Sequence, residues 1–348
     1  MVTSSDRIKE VTVVAPINIA LIKYWGKRDE VLMLPYNDSI SISINDICAK
    51  TRLRIGPSVT EDSVFVNGVK MDLDKEKGFL RLFSEVRRLT RKRKVKDSVC
   101  NDEDASNSDK FSKFEVMSET NFPVGAGLAS SAAGYAAIAF ALGKLYNFDE
   151  SDIVRIARQG SGSACRSIMS GFVHWKAGIR QDGTDCICET VASPDHWKSL
   201  RAIVLVTLHE KKSIGSTSGM RQTAKTSELF RHRVDKVIPE HVKKLRKAIY
   251  DKDFATFAAI TMSESNQLHA LCMDTNPPLK YLSEDSWHLI RIVHAVNDAV
   301  KSTKLAYTFD AGPNCTLFLE EDFVPTALAA VKKYCLLTDD LFGMALNV

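Results

Sequence analysis

The chain of 348 residues and 38.7 kDa is long enough for two domains, and its 45% hydrophobic content allows a sizeable core. A net charge of +4 with a pI near 8.5 is mildly basic, which suits an anionic small molecule at least as well as nucleic acid. The eight cysteines form no C-x-x-C pair and no paired His/Cys spacing, which speaks against a disulfide framework or a zinc site and for buried thiols of a reducing compartment. "MVTSSDRIKE" has no apolar signal-peptide core and "ALNV" is no peroxisomal address, so a cytoplasmic protein is expected.

In chain order, "EVTVVAPINIALIKYW" begins as a β-branched strand and is expected to break at Pro16. "DSISISIND", Asp38 to Asp46, alternates strictly and predicts a half-buried strand. "RLRIG" follows, then "SVFVNGVKM", a hairpin turning at Asn67-Gly68. "EKGFLRLFSEVRRLTRKRK" sets Phe79, Leu82, Phe83, Val86 and Leu89 at helical spacing and ends in cations, which favour a helix C-terminus. The polar insert "DSVCNDEDASNSDK" predicts a mobile loop.

"FSKFEVMSE" is a further strand, leading into "NFPVGAGLASSAAGYAA" and an alanine-rich helix. Val124 to Gly143 carries no charge over a length that could span a bilayer, but Ala, Gly and Ser dominate it and four glycines interrupt it. A buried helix after a loop is the reading, and no membrane partner is expected. "ESDIVRIARQGSGSACRS" is a helix followed by a second Gly/Ser loop, and "RAIVLVTL" from Arg201 is a central buried strand. Helices follow near Val237–Tyr250, over "DFATFAAITMSESNQLHALC" and near Trp287–Lys301. "KLAYTFDAGPNCTLFLE" is strand, Gly-Pro turn and strand, and the break at "VASPDHWKSL" separates residues 1–193 from 194–348.

The glycine loop carries chemistry. Small residues at a helix N-terminus expose backbone N–H groups without intrahelical partners, and the helix dipole favours an anion there. Ser130 and Ser131 add hydroxyls at the same mouth, which makes a phosphate site, although "GAGLAS" is neither a Walker loop nor a dinucleotide fingerprint. The bland alternative is close packing of helix on sheet. "GSGSACRS" offers Ser161, Ser163 and Arg166, and Arg suits bidentate capture of carboxylate or phosphate. "STSGM" at Ser216–Met220 gathers more hydroxyls, and "NIALIKYWGKRD" brings Asn18, Lys23, Lys27 and Arg28 near a strand end. Four donor-rich, histidine-poor clusters argue for a polyanionic substrate. Asp310 in "AYTFDAGPN" is a carboxylate in apolar company, costly unless partnered; its plainer role is turn capping. The basic run "RRLTRKRKVK" raises a nucleic-acid reading, but it lacks interleaved aromatics and reads as a solvated face.

"NIALIKYWGKRD", "FPVGAGLASSAAG", "GSGSACRS" and "FDAGPN", in this order, make the chain resemble the diphosphomevalonate decarboxylase family over essentially its whole length. That family belongs to the superfamily of galactokinase, homoserine kinase, mevalonate kinase and phosphomevalonate kinase. The resemblance implies a two-domain α+β fold. Its N-terminal domain, 1–193, would be ribosomal-protein-S5-domain-2-like and its C-terminal domain, 194–348, ferredoxin-like, with ATP and substrate in the cleft between them. It implies a homodimer and a Mg²⁺-dependent reaction of ATP with mevalonate 5-diphosphate in isoprenoid and sterol biosynthesis, without assigning the metal's ligands. The alternative is a related kinase or decarboxylase acting on mevalonate or its monophosphate.

Residue by residue, the resemblance sets Asp310 against the tertiary hydroxyl and Lys23 beside the transferred phosphoryl group. Arg166 and Asn18 meet the substrate carboxylate. Tyr24, Lys27, Ser161, Ser163 and Thr217 hold the diphosphate end, with Trp25, Gly26, Gly162, Ala164 and Cys165 in the same motifs. Gly125, Gly127, Leu128, Ala129, Ser130 and Ser131 hold ATP phosphates, Ser131 being also a catalytic candidate. Two departures stand out: Val124-Gly125 replaces a Thr-Ala pair, and Lys77 occupies the neighbourhood of a substrate-binding Arg early in the first long helix. Lysine would act there as a point charge rather than a fork.

Overall fold

A computed structural model of the chain describes residues 8–97, 113–122, 130–206, 214–335 and 346–347. The polar insert after Asp97 and the glycine loop with Gly125, Gly127, Leu128 and Ala129 lie outside them. The chain divides into two units: one of Met1–Ile17, Ile47–Pro123 and Ala129–Ile168, the other of Asn18–Asp46, Val124–Leu128 and Met169–Val348.

β1 (Lys9–Ile22) runs straight through Pro16, contrary to the expected break. Its strand partner among the described residues is β4, so its other edge requires no N–H from the ring. β2 (Lys27–Asp29) and β3 (Leu34–Pro35) form a small antiparallel ribbon. β4 (Ser39–Ile55) corrects a second expectation, because Ser39 through Ile44 are buried on both faces rather than one. The serine face is satisfied internally: Ser39 Oγ donates to Ile22 O at 2.8 Å and the Ser43 N–H to Gly171 O at 3.0 Å. Serine alternating with isoleucine looks amphipathic, yet a small hydroxyl with a backbone partner buries at little cost.

β5 (Ser63–Val66) and β6 (Val69–Lys70) form the predicted hairpin, with Asn67 and Gly68 both at positive φ (48° and 80°) as a type I′ turn requires. α1 (Lys77–Asp97) then crosses over to β7 (Glu115–Thr120), which pairs parallel with β5 and antiparallel with Ala49–Arg54 of β4. The five predicted apolar residues of α1 are all buried. Its cations are engaged within this unit. Arg87 holds Asp62 at 2.6 Å, Arg88 holds Glu85, and Arg93 reaches Asn147 O and Asp152. α2 (Ser130–Tyr146) is buried along nearly its whole length by small residues, and a Cβ on its Gly143 would lie 2.4 Å from Ile153 of α3 (Glu150–Gly160). "GSACRS" is no loop but a 3₁₀ helix, Gly162–Ser167. Ser161 at its start stays extended, and successive N–H groups find carbonyls three residues back, as in Ala164 N–H to Ser161 O.

In the second unit, Ser39–Ile42 of β4 pair with β8 (Phe172–Trp175), which pairs with β9 (Cys188–Ala192). β10 (Leu200–Leu205) is central in a second, antiparallel sheet. α4 (Ser216–Thr226) follows, so "STSGM" is the first turn of a helix. α5 (Leu229–His232) runs directly into a π-helical turn at Arg233–Val237 and then α6 (Ile238–Asp251). α7 (Phe254–Asp274) and α8 (Glu284–Val300) carry side-chain N-caps, Asp253 and Ser283. The second sheet is completed by β11 (Leu305–Phe309), β12 (Cys315–Glu320) and, beyond α9 (Val324–Tyr334), β13 (Leu346–Asn347), in the order β11-β12-β10-β13. Its core gathers Leu289, Val293, Tyr307, Phe309 and Leu317. The architecture is mixed α+β, as expected. No helix among the described residues is long and apolar enough to cross a membrane. The cysteines among them are free thiols, five of the seven buried.

Candidate active site

Two strands of the second unit end one residue short of a charge. β1 stops at Ile22 and β11 at Phe309, and the next residues, Lys23 and Asp310, meet with Nζ donating to Oδ1 at 2.6 Å. Lys23 is buried, whereas the Asp310 side chain is 42% exposed. Asp310 is held from its own backbone: the Phe309 N–H donates to Ser265 Oγ at 2.9 Å, and the Asp310 carbonyl accepts from the Gly312 N–H at 2.7 Å. The carboxylate that the sequence left in costly apolar company thus has a cation.

Beyond Ile22, side chains take over the peptide's hydrogen bonds. The Lys23 N–H donates to Glu264 Oε2 at 2.9 Å, and the Lys23 carbonyl accepts from Asn37 Nδ2 at 3.1 Å and Arg233 Nη2 at 3.4 Å. Glu264, wholly buried on α7, takes Arg233 on both oxygens (3.0 and 2.6 Å) and His241 Nδ1 at 2.6 Å. Burial would raise the Glu264 pKa, but the Arg233 charge, the His241 and Arg233 hydrogen bonds and the Lys23 amide outweigh it and hold it at about 2. His269, one turn further along α7, is pushed down to about 4 by burial first and by the Lys23 charge second, with Asp310 opposing. Its Nε2 has no hydrogen-bond partner among the described residues.

The segment after Lys23 is packed rather than open. Trp25 is buried among Met220, Phe230 and Tyr281, and its Nε1 donates to Thr223 Oγ1 at 3.0 Å. Gly26 has φ +90°, and a Cβ there would stand 2.6 Å from the Phe230 ring, so glycine is needed to carry the chain past it. Tyr24 sets its ring edge-on to Trp175 at 4.8 Å, and Lys27 is half-buried. Asn18 is buried within β1. Thr217 is exposed in the first turn of α4.

The first unit holds the remaining candidates. Arg166 is 3% exposed, inside the 3₁₀ helix with Gly162, Ala164 and Cys165, while Ser161 and Ser163 are half-buried with their hydroxyls 3.4 Å apart. Ser130 opens α2, and Ser131 beside it is exposed. Lys77 is exposed at the start of α1. One turn on, Arg81 Nε donates to Gln159 O at 3.0 Å, two residues before Ser161. Gly78 and Gly160 let the helix ends approach, since a Cβ on either would lie within 2.5 Å of Tyr135. Arg81 is therefore the α1 cation that the structure joins to the Ser161–Arg166 segment, a residue the motif reading passed over in favour of Lys77.

Sequence reasoning also missed Glu264, Arg233, His241 and His269. For Glu264 and His269 a signal existed. The buried positions of α7 include Phe257, Thr261, Leu268 and Cys272, a stripe at helical spacing in which 264 and 269 also fall. A carboxylate in such a stripe calls for a buried partner.

Residues 15–188 match the family model for the diphosphomevalonate decarboxylase-like N-terminal domain, and residues 202–344 match that for the mevalonate 5-diphosphate decarboxylase C-terminal domain. The chain is 45% identical over 330 residues to the diphosphomevalonate decarboxylase of Homo sapiens, spanning 94% of this chain and 81% of the human one. It superposes on the mevalonate diphosphate decarboxylase from Trypanosoma brucei with a TM-score of 0.82 at 39% identity, over 92% of this chain and 82% of that one. A structure of MDDEF in complex with MVAPP, AMPPCP and magnesium gives a TM-score of 0.81 at 27% identity over 94% of each chain.

Proposed function

The chain belongs to the diphosphomevalonate decarboxylase family, and from that premise we propose that it converts ATP and mevalonate 5-diphosphate to isopentenyl diphosphate, ADP, phosphate and CO₂. The observation that carries the reading furthest is the Lys23–Asp310 pair, a buried ammonium against a carboxylate open on its far side. Asp310 orients the tertiary hydroxyl and takes its proton as the oxygen bonds to the γ-phosphorus and ADP leaves. Lys23 Nζ balances charge on the transferred group. Phosphoryl transfer is largely positioning and charge stabilisation, which these groups supply.

Loss of CO₂ needs somewhere for electrons to go. The new phosphate ester provides it: the bond to the carboxyl carbon breaks, its pair becomes the carbon–carbon double bond, and phosphate departs from the neighbouring carbon. Arg166 and Asn18 hold the carboxylate until that point. Tyr24, Lys27, Ser161, Ser163 and Thr217 hold the diphosphate, with Lys77 or Arg81 as a further cation from α1. The glycine loop, Ser130 and Ser131 take the phosphates of ATP. No group of three His, Cys, Asp or Glu among the described residues could hold a metal. That donor set fits Mg²⁺ carried on nucleotide phosphates rather than in a protein cage, where it would neutralise phosphoryl oxygens. We further propose residues 1–193 and 194–348 as the two domains, a homodimer, and a cytoplasmic location.

Incubation with ATP, Mg²⁺ and mevalonate 5-diphosphate, with gas and phosphate both quantified, tests the reading. Stoichiometric ADP, phosphate and CO₂ are expected. ADP without CO₂ would make the protein a kinase, and a preference for mevalonate 5-phosphate would make it a decarboxylase of the monophosphate.

A further inference from the structure

A lysine ammonium is only as well placed as the peptide that carries it. The Lys23 peptide lies just past the end of β1, yet both of its polar groups are gripped by side chains from other elements: Glu264 of α7 on the N–H, and Arg233 of the π turn with Asn37 on the carbonyl. Glu264 and Arg233 are also each other's partners, at 2.6 Å, in a site where neither is more than 4% exposed. A buried ion pair of this kind is poor evidence of stabilisation, because apolar side chains of similar volume commonly serve as well. What such side chains could not do is hold an N–H and a C=O of one peptide from opposite sides.

We infer that Glu264 and Arg233 are positioning residues for the reacting pair, fixing the peptide from which Lys23 reaches Asp310. His241 on Glu264 Oε1 and Gln267 on Arg233 Nη1 complete the frame and leave the clamp little freedom to turn. The inference rests on Lys23 and Asp310 belonging to the reaction.

The test is a double-mutant cycle on the full chain, reading kcat, the KM of both substrates and thermal melting. Arg233→Lys keeps the charge but cannot span both Glu264 oxygens and the Lys23 carbonyl. A displacement of about 1 Å can cost on the order of 10²-fold, so kcat is expected to fall roughly ten- to hundred-fold with both KM values nearly constant. In a Lys23→Met background the same substitution is expected to leave the residual kcat within about twofold, because residues acting through one group are not additive. Equal losses in both backgrounds would reduce the pair to structural support and overturn the inference. Lys23→Met with parental kcat would instead remove Lys23 from the reaction, and the reading beneath with it. Should Arg233→Lys melt too low to assay, Asn37→Ala loosens the same carbonyl without touching the ion pair, and the same comparison of backgrounds decides.

Discussion

Lys23 and Asp310 share a 2.6 Å hydrogen bond from opposite environments, the ammonium 2% exposed and the carboxylate 42%. The cation is locked away while its partner keeps an open side, so a substrate hydroxyl can approach Asp310 without breaking the pair. Asp310→Asn keeps the shape and an acceptor but cannot take a proton. Turnover is expected to fall at least ~10²-fold with substrate binding nearly preserved, and ADP and CO₂ formation should fall together. ADP forming at the parental rate while CO₂ stops would move Asp310 to the elimination step.

Arg166 is buried in a short 3₁₀ helix, where its guanidinium cannot be swapped for a point charge without loss. A charge-assisted hydrogen bond contributes about 1.5–3 kcal/mol, so Arg166→Lys is expected to lose roughly ten- to hundred-fold in kcat/KM. Steady-state kinetics on a variant with a parental circular-dichroism spectrum checks this, and unchanged efficiency removes Arg166 from the substrate.

Gly26→Ala places a Cβ at φ +90° and 2.6 Å from the Phe230 ring. Strain of this kind costs on the order of 1–3 kcal/mol. The urea midpoint should fall accordingly at unchanged slope, whereas a parental midpoint would mean the turn can rearrange freely.

His269 titrates at about 4 rather than its ordinary 6.5, so between those values the unfolded chain binds a proton that the folded one refuses. Stability is therefore expected to decline as pH falls from about 6.5 to 4, by roughly 3 kcal/mol from this group alone. Glu264, held near 2, shifts stability in a lower window, from 4.5 down. Melting temperatures measured from pH 7 to 4 should drop less in His269→Gln than in the parent. Parallel curves would show that His269 accepts its proton in the folded state.

The sequence made the pair legible because Lys23 and Asp310 sit in short motifs beside strand ends, where a charge after an apolar run stands out. It made the hairpin legible because Asn-Gly specifies a turn type through two positive φ angles. It misled where tertiary context overrode a local rule. Pro16 could stay in β1 because nothing asks for its missing N–H, and the serines of β4 could be buried because backbone carbonyls accept their hydroxyls. The clamp was hidden for another reason: Arg233 and His241 lie in a charge-rich stretch that reads as solvent-facing, and only the irregular turn at Arg233–Val237 brings them inward.

That π turn makes the chain there intolerant of a change in length. A π turn amounts to one residue more than an α-helix would use over the same span. Deleting any one of residues 233–237 would let α5 and α6 fuse into regular helix, rotating α5 about the shared axis by about 100° relative to α6. Arg233 would leave Glu264 although no contacting side chain had been altered. Single-residue deletions scanned from 229 to 251 should therefore be most damaging to turnover in the wide turn, and milder near the left-handed Lys252 where the helix ends anyway.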